Sequence, residues 1–142
     1  MARTRVYNSN EISITFAGFS IDSGRAEGDF VTTKYDSETF TKKVGADGEV
    51  TRSKTNNNSG TATIKVMQTS DGHRILMQLD ALGRASANGS DIAEFQIRDR
   101  LGGILEHADQ AWIEKAPDSP NGKEAGEREW TLGLGELVRE VE

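Results

Sequence analysis

Short segments in which apolar and polar residues alternate recur along this sequence. Residues 11–21, 94–99 and 128–134 show the pattern most clearly, and runs of Gly, Asn, Asp, Ser or Pro separate the segments. A period of two residues is that of a β-strand with one buried face, and runs of Gly, Asn, Asp, Ser or Pro form turns. The pattern therefore favours a packed or closed sheet over a helical bundle.

The first of these segments changes phase part of the way along. Its apolar residues have even numbers at the start, at Ile12, Ile14 and Phe16. They have odd numbers at the end, at Phe19 and Ile21. We expect a bulge or a sheet corner at Ala17 and Gly18, because one inserted residue moves every later side chain to the opposite face. A bent strand of this kind serves two packed sheets, as in β-sandwiches and small barrels.

One segment follows the helical period instead. Leucines and isoleucines spaced by three or four residues follow Ser70, which suits an N-cap, and Gly83 suits the end of a helix. We therefore predict a helix over about residues 71–83. Residues 135–142 fit either a strand tail or a short acidic helix.

The predicted fold class is mainly β (α+β): a β-sandwich or barrel with one flanking α-helix, in a single domain covering residues 1–142. The predicted core consists of apolar side chains from the strands and the helix. These are Ile12, Ile14, Phe16, Ile64, Val66, Leu79, Phe95, Trp112, Trp130 and Leu132.

A polar stretch between residues 39 and 68 interrupts the strand pattern. Its middle, about residues 40–60, has almost no apolar side chains and many turn-forming residues. Asp47 and Gly48 stand between Val44 and Val50, which is the signal of a two-residue hairpin. A polar excursion of this length is either disordered or placed to contact a partner. We therefore expect a long polar loop or a hairpin arm here.

Composition narrows the classes of protein further. The chain has no cysteine and two histidines, so neither disulfides nor Cys-based metal sites form, and a His-rich metal centre is not expected. No apolar run approaches the roughly 18–20 residues of a membrane helix, and the N-terminus lacks the apolar core of a signal peptide. We expect a soluble product of the cytoplasm, without a cofactor or a membrane partner.

Charge is distributed unevenly along the chain. The net charge is −6, with nine Lys/Arg against eight Asp/Glu in residues 1–70 and eight against fifteen in residues 71–142. An acidic chain does not hold DNA by neutralising phosphates, but it suits a passage to which DNA must not adhere. Acidic residues that simply keep the domain soluble explain the composition equally well. Unlike halves also allow the basic loop of one copy to meet the acidic surface of the next.

Catalytic chemistry finds little support in the residues. His73 and His107 stand outside any GxSxG or HExxH motif, and Asp47 with Gly48 supplies only a fragment of a calcium loop. Trp112 and Trp130 are candidates for a sugar-stacking platform, although core packing is the commoner role of tryptophan in an alternating strand. We expect no catalytic, cofactor-binding or metal-binding residues.

Several longer segments carry a family resemblance. They are EISITFAGFSI (11–21), EGDFV (27–31), VGADGEVTRS (44–53), TNNNSGT (55–61), MQTS (67–70), AWI (111–113), GKE (122–124) and REWTL (128–132). In this order they cover nearly the whole chain. The sequence resembles the tail tube proteins of contractile-tailed, myophage-type bacteriophages and related prophages.

The resemblance implies a non-enzymatic structural subunit with the tail-tube fold. In that family six subunits form a ring, and rings stack into a hollow tube that conducts the genome during ejection, inside a contractile sheath. A long loop, about residues 40–60 here, reaches the adjacent ring. Its expected stacking residues are Lys42, Lys43, Asp47, Glu49, Arg52, Lys54, Asn56 and Asn57. The candidates for the tube lumen are Glu94, Gln96, Glu106 and Asp109.

The resemblance also implies partners. These are further copies of the chain, a sheath protein outside, a tape measure protein and transiently viral DNA in the lumen, and the baseplate and tail terminator at the tube ends. The protein would belong to the virion tail and be synthesised in the cytoplasm of the bacterial host. A further hypothesis pairs the basic residues of the loop with acidic residues after position 70.

Three alternatives stand beside this interpretation. The nearest is the tube protein of a related phage-like particle or type VI secretion machine. The second is a monomeric carbohydrate-binding β-sandwich module that uses Trp112 and Trp130. The third is a small hydrolase built on scattered carboxylates.

Overall fold

The computed structural model describes residues 4–21 and 24–141. Within them the chain forms a 3₁₀ turn at Ser9–Glu11, one α-helix and ten strands. The elements are β1 (Ile12–Phe16), β2 (Phe19–Ser20), β3 (Val31–Tyr35), β4 (Phe40–Val44), β5 (Val50–Lys54), β6 (Gly60–Met67), α1 (Asp71–Ala85), β7 (Ala93–Asp99), β8 (Ile104–Lys115), β9 (Glu127–Leu134) and β10 (Val138–Val141). The architecture is mainly β, as the alternating segments predicted.

Eight of these strands form one antiparallel sheet in the order β2-β1-β7-β8-β9-β6-β3, with β10 paired to β8. Strands β9 and β10 lie along the same edge of β8. There β9 pairs with residues 111–115 and β10 with residues 104–107. Residues 135–137 connect β9 to β10. The C-terminal segment, for which either a strand tail or a short helix was expected, therefore contains a strand and not a helix. Strands β4 and β5 form a separate two-stranded sheet.

The large sheet curls until its last strand meets its middle. Thr33 on β3 donates a hydrogen bond from Oγ1 to Glu106 Oε1 on β8, at 2.7 Å. Arg139 on β10 donates to the Thr33 carbonyl at 3.0 Å, and its Nε lies 2.7 Å from Glu106 Oε1. These polar contacts join β3 to β8 and β10, which gives the sheet a barrel-like closure.

The core lies between the concave face of this sheet and α1. Its members are Ile14, Phe16, Ile21, Ala62, Ile64, Val66, Leu76, Phe95, Ile97, Ala108, Ala111, Trp130, Leu132, Leu134 and Leu137. Phe16 and Phe95 meet edge to face, with ring centroids 6.3 Å apart. Two of the predicted core residues, Ile12 and Leu79, are partly buried and pack against this cluster.

Trp112 lies on the other face of the sheet, so the prediction that it belongs to the core is wrong. It pairs with Gly133 on β9, whereas the flanking residues Leu132 and Leu134 are buried in the core. The cause is a bulge in β8. Buried Ala108 and Ala111 are three residues apart, and the register with β7 shifts between them. The extra residue turns Trp112 outward.

Helix α1 begins where its sequence signal predicted. Ser70 is the N-cap, and its Oγ accepts a hydrogen bond from the backbone N–H of His73 at 3.0 Å. The helix runs two residues beyond Gly83 and ends at the C-cap Ser86. Leu76 is fully buried against the sheet. Trp130 Nε1 donates to His73 Nδ1 at 3.1 Å, which ties the helix to β9.

The phase change at Ala17 and Gly18 is a hairpin turn and not a bulge or corner. Phe16 pairs with Phe19, so only two residues separate β1 from β2. Both turn residues have positive φ, 55° for Ala17 and 81° for Gly18, as a type I′ turn requires. The single strand expected over residues 11–21 is therefore two strands that fold back on each other.

Candidate assembly surfaces

The polar stretch forms a hairpin arm made of β4 and β5. Its register pairs Val44 with Val50, and all ten strand residues are exposed. The turn differs from the predicted two-residue type. Gly45 N–H donates to Glu49 O at 2.7 Å, which leaves three residues in the loop, and Gly48 takes the positive φ of 89°. Asp47 and Gly48 thus form the turn, but within a three-residue loop.

The two faces of the arm differ in chemistry. The face that we call the cationic face carries Phe40, Lys42, Val44, Val50, Arg52 and Lys54. The opposite face, which we call the hydroxyl face, carries Thr41, Lys43, Thr51 and Ser53. On the cationic face the Arg52 guanidinium lies 4.1 Å from the centroid of the Phe40 ring. The arm therefore presents three cations and three apolar side chains on one side.

Lys42 and Arg52 are direct cross-strand neighbours on the cationic face. The arm's backbone hydrogen bonds join Thr55 to Thr39 and Gly45 to Glu49, which places the Lys42–Arg52 pair at a non-hydrogen-bonded position, where side chains approach most closely. Like charges at such a position destabilise a hairpin. A partner that supplies carboxylates removes this repulsion, so the cationic face is suited to an acidic surface.

Hydrogen bonds hold the base of the arm against the barrel. Asn57 Oδ1 accepts from the N–H and the hydroxyl of Ser59, at 3.1 Å and 2.7 Å. Asp36 accepts from the hydroxyls of Thr61 and Ser59, at 2.8 Å and 3.2 Å. Leu137 N–H donates to Asn58 O at 2.9 Å. The arm is thus anchored to the barrel between β3, β6 and β10.

The predicted stacking residues fall into three groups. Lys42, Arg52 and Lys54 lie on the cationic face, and Lys43 lies on the hydroxyl face. Asp47 and Glu49 form the tip, where Asp47 Oδ1 accepts from Glu49 N–H at 3.1 Å. Asn56 and Asn57 lie at the base, after the end of β5.

Three of the four lumen candidates lie on the outer face of the sheet, the face turned away from the core. Glu94 and Gln96 alternate with Phe95, which is buried. Asp109 follows buried Ala108 and its side chain is 88% exposed. His107 is opposite Gln96 and 3.8 Å from Asp109, so these groups form a polar patch on β7 and β8.

Glu106 does not share that face. It is the cross-strand neighbour of Ile97, whose side chain is in the core, and it bonds to Thr33 and Arg139. The expectation that it faces the lumen together with Asp109 is therefore replaced by a role in closing the barrel. The sequence of β8 allowed either face for Glu106, and the register with β7 and the contact with β3 place it on the inner one.

Trp112 and Trp130 lie on opposite faces of the sheet. Trp130 is 1% exposed inside the core, and Trp112 lies over Gly133 outside it. They cannot form one sugar-stacking platform, which removes the basis of the carbohydrate-binding alternative. A glycine inside the alternating segment 128–134 is the sequence signal that a large side chain can lie over Gly133.

Titratable groups give no sign of an active centre in the described part of the chain. Burial, and then the charge of Arg128, lower the pKa of His73, which keeps its ring neutral so that Nδ1 accepts from Trp130. Within residues 4–21 and 24–141, no group of three or more His, Cys, Asp or Glu side chains is placed to bind a metal ion. Helix α1 is too short and too polar to cross a bilayer, and no other described helix qualifies.

The chain combines a curled antiparallel sheet with a flanking helix and an exposed hairpin arm, which is the architecture that the resemblance to tail tube proteins implies. The chain belongs to the family described as Bacteriophage PhiTE tail tube protein, whose model matches residues 4–140. It is also 29% identical over 143 residues to "Structural protein ORF10" of Pseudomonas phage KPP10, a match that covers 93% of this chain and 79% of that protein. The chain is thus a structural component of a phage tail.

Solved structures of contractile injection systems have the same fold. The cap of the anti-feeding prophage, its tube terminating cap, superposes with a TM-score of 0.62 at 8% identity, covering 100% of this chain and 95% of that one. The PVC sheath/tube terminator superposes with a TM-score of 0.61 at 10% identity, covering 99% of this chain and 100% of that one. A chain of the PVC sheath-tube complex superposes with a TM-score of 0.56 at 11% identity, covering 94% of this chain and 90% of that one. All three were determined by cryo-EM.

Proposed function

We propose that this chain, as one domain of residues 1–142, forms six-membered rings that stack into a hollow tail tube, with the arm reaching the next ring. The observation that carries the proposal is the arm itself. Its ten strand residues are all exposed, although one face holds Phe40, Val44 and Val50. A two-stranded hairpin is only marginally stable alone in water, so a contact surface on a partner is the physical reason to maintain it.

Removing the arm tests this proposal. Residues 40–54 are replaced by a short Gly-Ser turn between Thr39 and Thr55, which leaves the anchoring contacts of Asn57, Ser59 and Asp36 in place. We expect the barrel to fold, with an unchanged thermal transition, and tube growth to stop at the stage of single rings in negative-stain images. Tubes of normal length from the armless variant would contradict the proposal.

Ionic strength gives a second measurement. Reversing charge at Arg52 and Lys54 should weaken stacking, and the residual assembly should depend on salt less steeply than that of the unmodified chain. Equal salt dependence in the two proteins would argue against an ionic contact through the cationic face.

The polar patch of Glu94, Gln96 and Asp109 is the part of the outer face that best suits a lumen. The carboxylates of Glu94 on β7 and Asp109 on β8 repel DNA phosphates, so the genome would pass without adhering. The tube would act mechanically and electrostatically during ejection, without catalysis. The test is charge reversal of Glu94 and Asp109, which should leave tubes intact but make them retain DNA.

The remaining partners follow from the tube geometry and from the neighbours in fold. A sheath protein would bind the outside, as in the PVC sheath-tube complex, and a terminator would close one end, as in the PVC sheath/tube terminator. A tape measure protein would occupy the lumen before DNA, and a baseplate the other end. Subunits would be made in the host cytoplasm and function in the virion tail.

A further inference from the structure

The barrel has two ends that differ in charge. The arm emerges at the end where Tyr35 of β3 pairs with Gly60 of β6, which we call the arm end. The other end, where Met67 pairs with Glu127, we call the far end. In a stack of identical rings related head to tail, the arm end of one copy faces the far end of the next. This step rests on the stacking proposed above.

The far end holds an acidic groove. A cavity of about 320 Å³ lies there between β9 and the segment that follows β8. Its lining includes three carboxylates, those of Asp118, Glu127 and Glu129, and the apolar rings of Pro117 and Pro120. One cation, Lys115, also lines it. In the described part of the chain, no cation lies within ion-pair distance of these carboxylates.

The wall of the acidic groove is fixed by a buried arginine. Arg128 is 3% exposed, and its Nη2 donates to the Pro120 carbonyl at 2.7 Å. Gln68 holds the next part of the same segment, because its side chain bonds to Asn121 at 3.0 Å and to Gly126 N–H at 3.1 Å. A groove that is already formed loses little conformational entropy when a partner binds.

We propose that the cationic face of the arm docks in the acidic groove of a second copy of this chain in the adjacent ring. The charges are complementary, since Lys42, Arg52 and Lys54 meet Asp118 and Glu127, which lie outside ion-pair distance of every cation in the described structure. The like-charge pair of Lys42 and Arg52 is relieved when carboxylates approach it. Phe40, Val44 and Val50 gain the proline-lined wall as an apolar contact.

A second acidic cavity is excluded by its position. It has a volume of about 380 Å³ and is lined by Asp109, Gln110, Gly135, Glu136 and Val138. It lies at the arm end, because Leu137 beside it bonds to Asn58 at the base of the arm. A head-to-tail stack does not present this cavity to the arm of the neighbouring ring. It therefore provides a control of equal charge.

The test compares charge reversals in full-length chains. Reversal in the groove, Asp118→Lys with Glu127→Lys, should raise the critical concentration for tube growth by about tenfold or more, measured by sedimentation. The control, Asp109→Lys with Glu136→Lys, should change it less than about threefold. Circular dichroism of each variant before assembly verifies folding. Equal effects of the two reversals would overturn the assignment of the groove.

The arm is reversed in the same way. Lys42→Glu with Arg52→Glu should weaken growth strongly, whereas Lys43→Glu on the hydroxyl face should have a small effect. Combining the reversed arm with the reversed groove restores opposite charges and should recover most of the lost growth. Recovery is not expected from any misfolded variant, so it separates docking from general damage.

The outcomes separate this inference from the stacking proposal itself. If arm reversal weakens growth but groove reversal does not, the arm docks elsewhere and the groove assignment is wrong, while stacking through the arm stands. If neither reversal changes the critical concentration for tube growth and the armless chain still forms tubes, both proposals fail. Recovery in the combined variant supports both.

Discussion

Replacing Gly133 by alanine tests the outward placement of Trp112. A Cβ at this position would lie 2.6 Å from Glu114 Oε1 and 2.7 Å from Trp112 Nε1. The exposed carboxylate can swing away, but the indole is partly buried on the sheet and must move as a rigid ring. Overpacking of this kind typically costs about 1–3 kcal/mol. We expect Gly133→Ala to lower the free energy of unfolding by an amount in this range.

The assay is urea unfolding of the armless chain, followed by tryptophan fluorescence, because assembly would otherwise contribute to the measured stability. Gly122→Ala is the matched control, since nothing lies within 4 Å of a Cβ built there. It should change the free energy of unfolding by less than about 0.5 kcal/mol. In a Trp112→Ala background most of the cost of Gly133→Ala should disappear.

Two results would refute this reasoning. If Gly133→Ala and Gly122→Ala were equally mild, the indole would not lie over Gly133. If the cost of Gly133→Ala persisted undiminished without Trp112, the strain would come from the backbone or from Glu114. The second possibility is resolved by Glu114→Ala, which removes the other close contact.

Two further predictions concern α1. Acid should destabilise the domain through His73. Because burial and Arg128 lower its pKa from 6.5, its contribution is complete above about pH 6.5 and is lost as the pH falls towards the folded-state pKa. Urea unfolding at about pH 7.5 and about pH 5 should show a smaller loss in His73→Gln, and an equal loss would contradict this role. Ser70→Ala should cost about 1 kcal/mol in thermal unfolding, because the N–H of His73 loses its cap, and an unchanged transition would exclude that contribution.

The parts of the fold that sequence could predict are those with local causes. Ser70 at an N-cap and leucines at helical spacing specify α1 within a few residues, because capping and amphipathic periodicity act over single turns. Alternation places Ile14, Ile64 and Trp130 in the core for the same reason. The Asp-Gly pair located the turn of the arm, although the additional residue in its loop follows from the hydrogen bond between Gly45 and Glu49.

The parts that sequence could not predict depend on the pairing of distant strands. A bulge in β8 is visible only from its register with β7, and it decides that Trp112 points outward. Glu106 lies on the inner face, where it contacts Thr33 and Arg139, which are 73 and 33 positions away along the chain. At Ala17 the chain accepts a positive φ, which non-glycine residues seldom adopt, so composition there did not suggest a tight hairpin.

The cations of the arm satisfy two physical requirements at once. A two-stranded sheet has two open edges, and an exposed edge invites pairing with another copy in the wrong register. Lys42, Lys43 and Lys54 oppose such pairing between arms of free subunits, because approaching arms carry the same charge. In the proposed stack, Lys42 and Lys54 of the cationic face also attract the carboxylates of the acidic groove, where the next ring presents Asp118 and Glu127. Charge on the arm therefore selects head-to-tail contacts over arm-to-arm contacts, which is the discrimination that growth of a uniform tube requires.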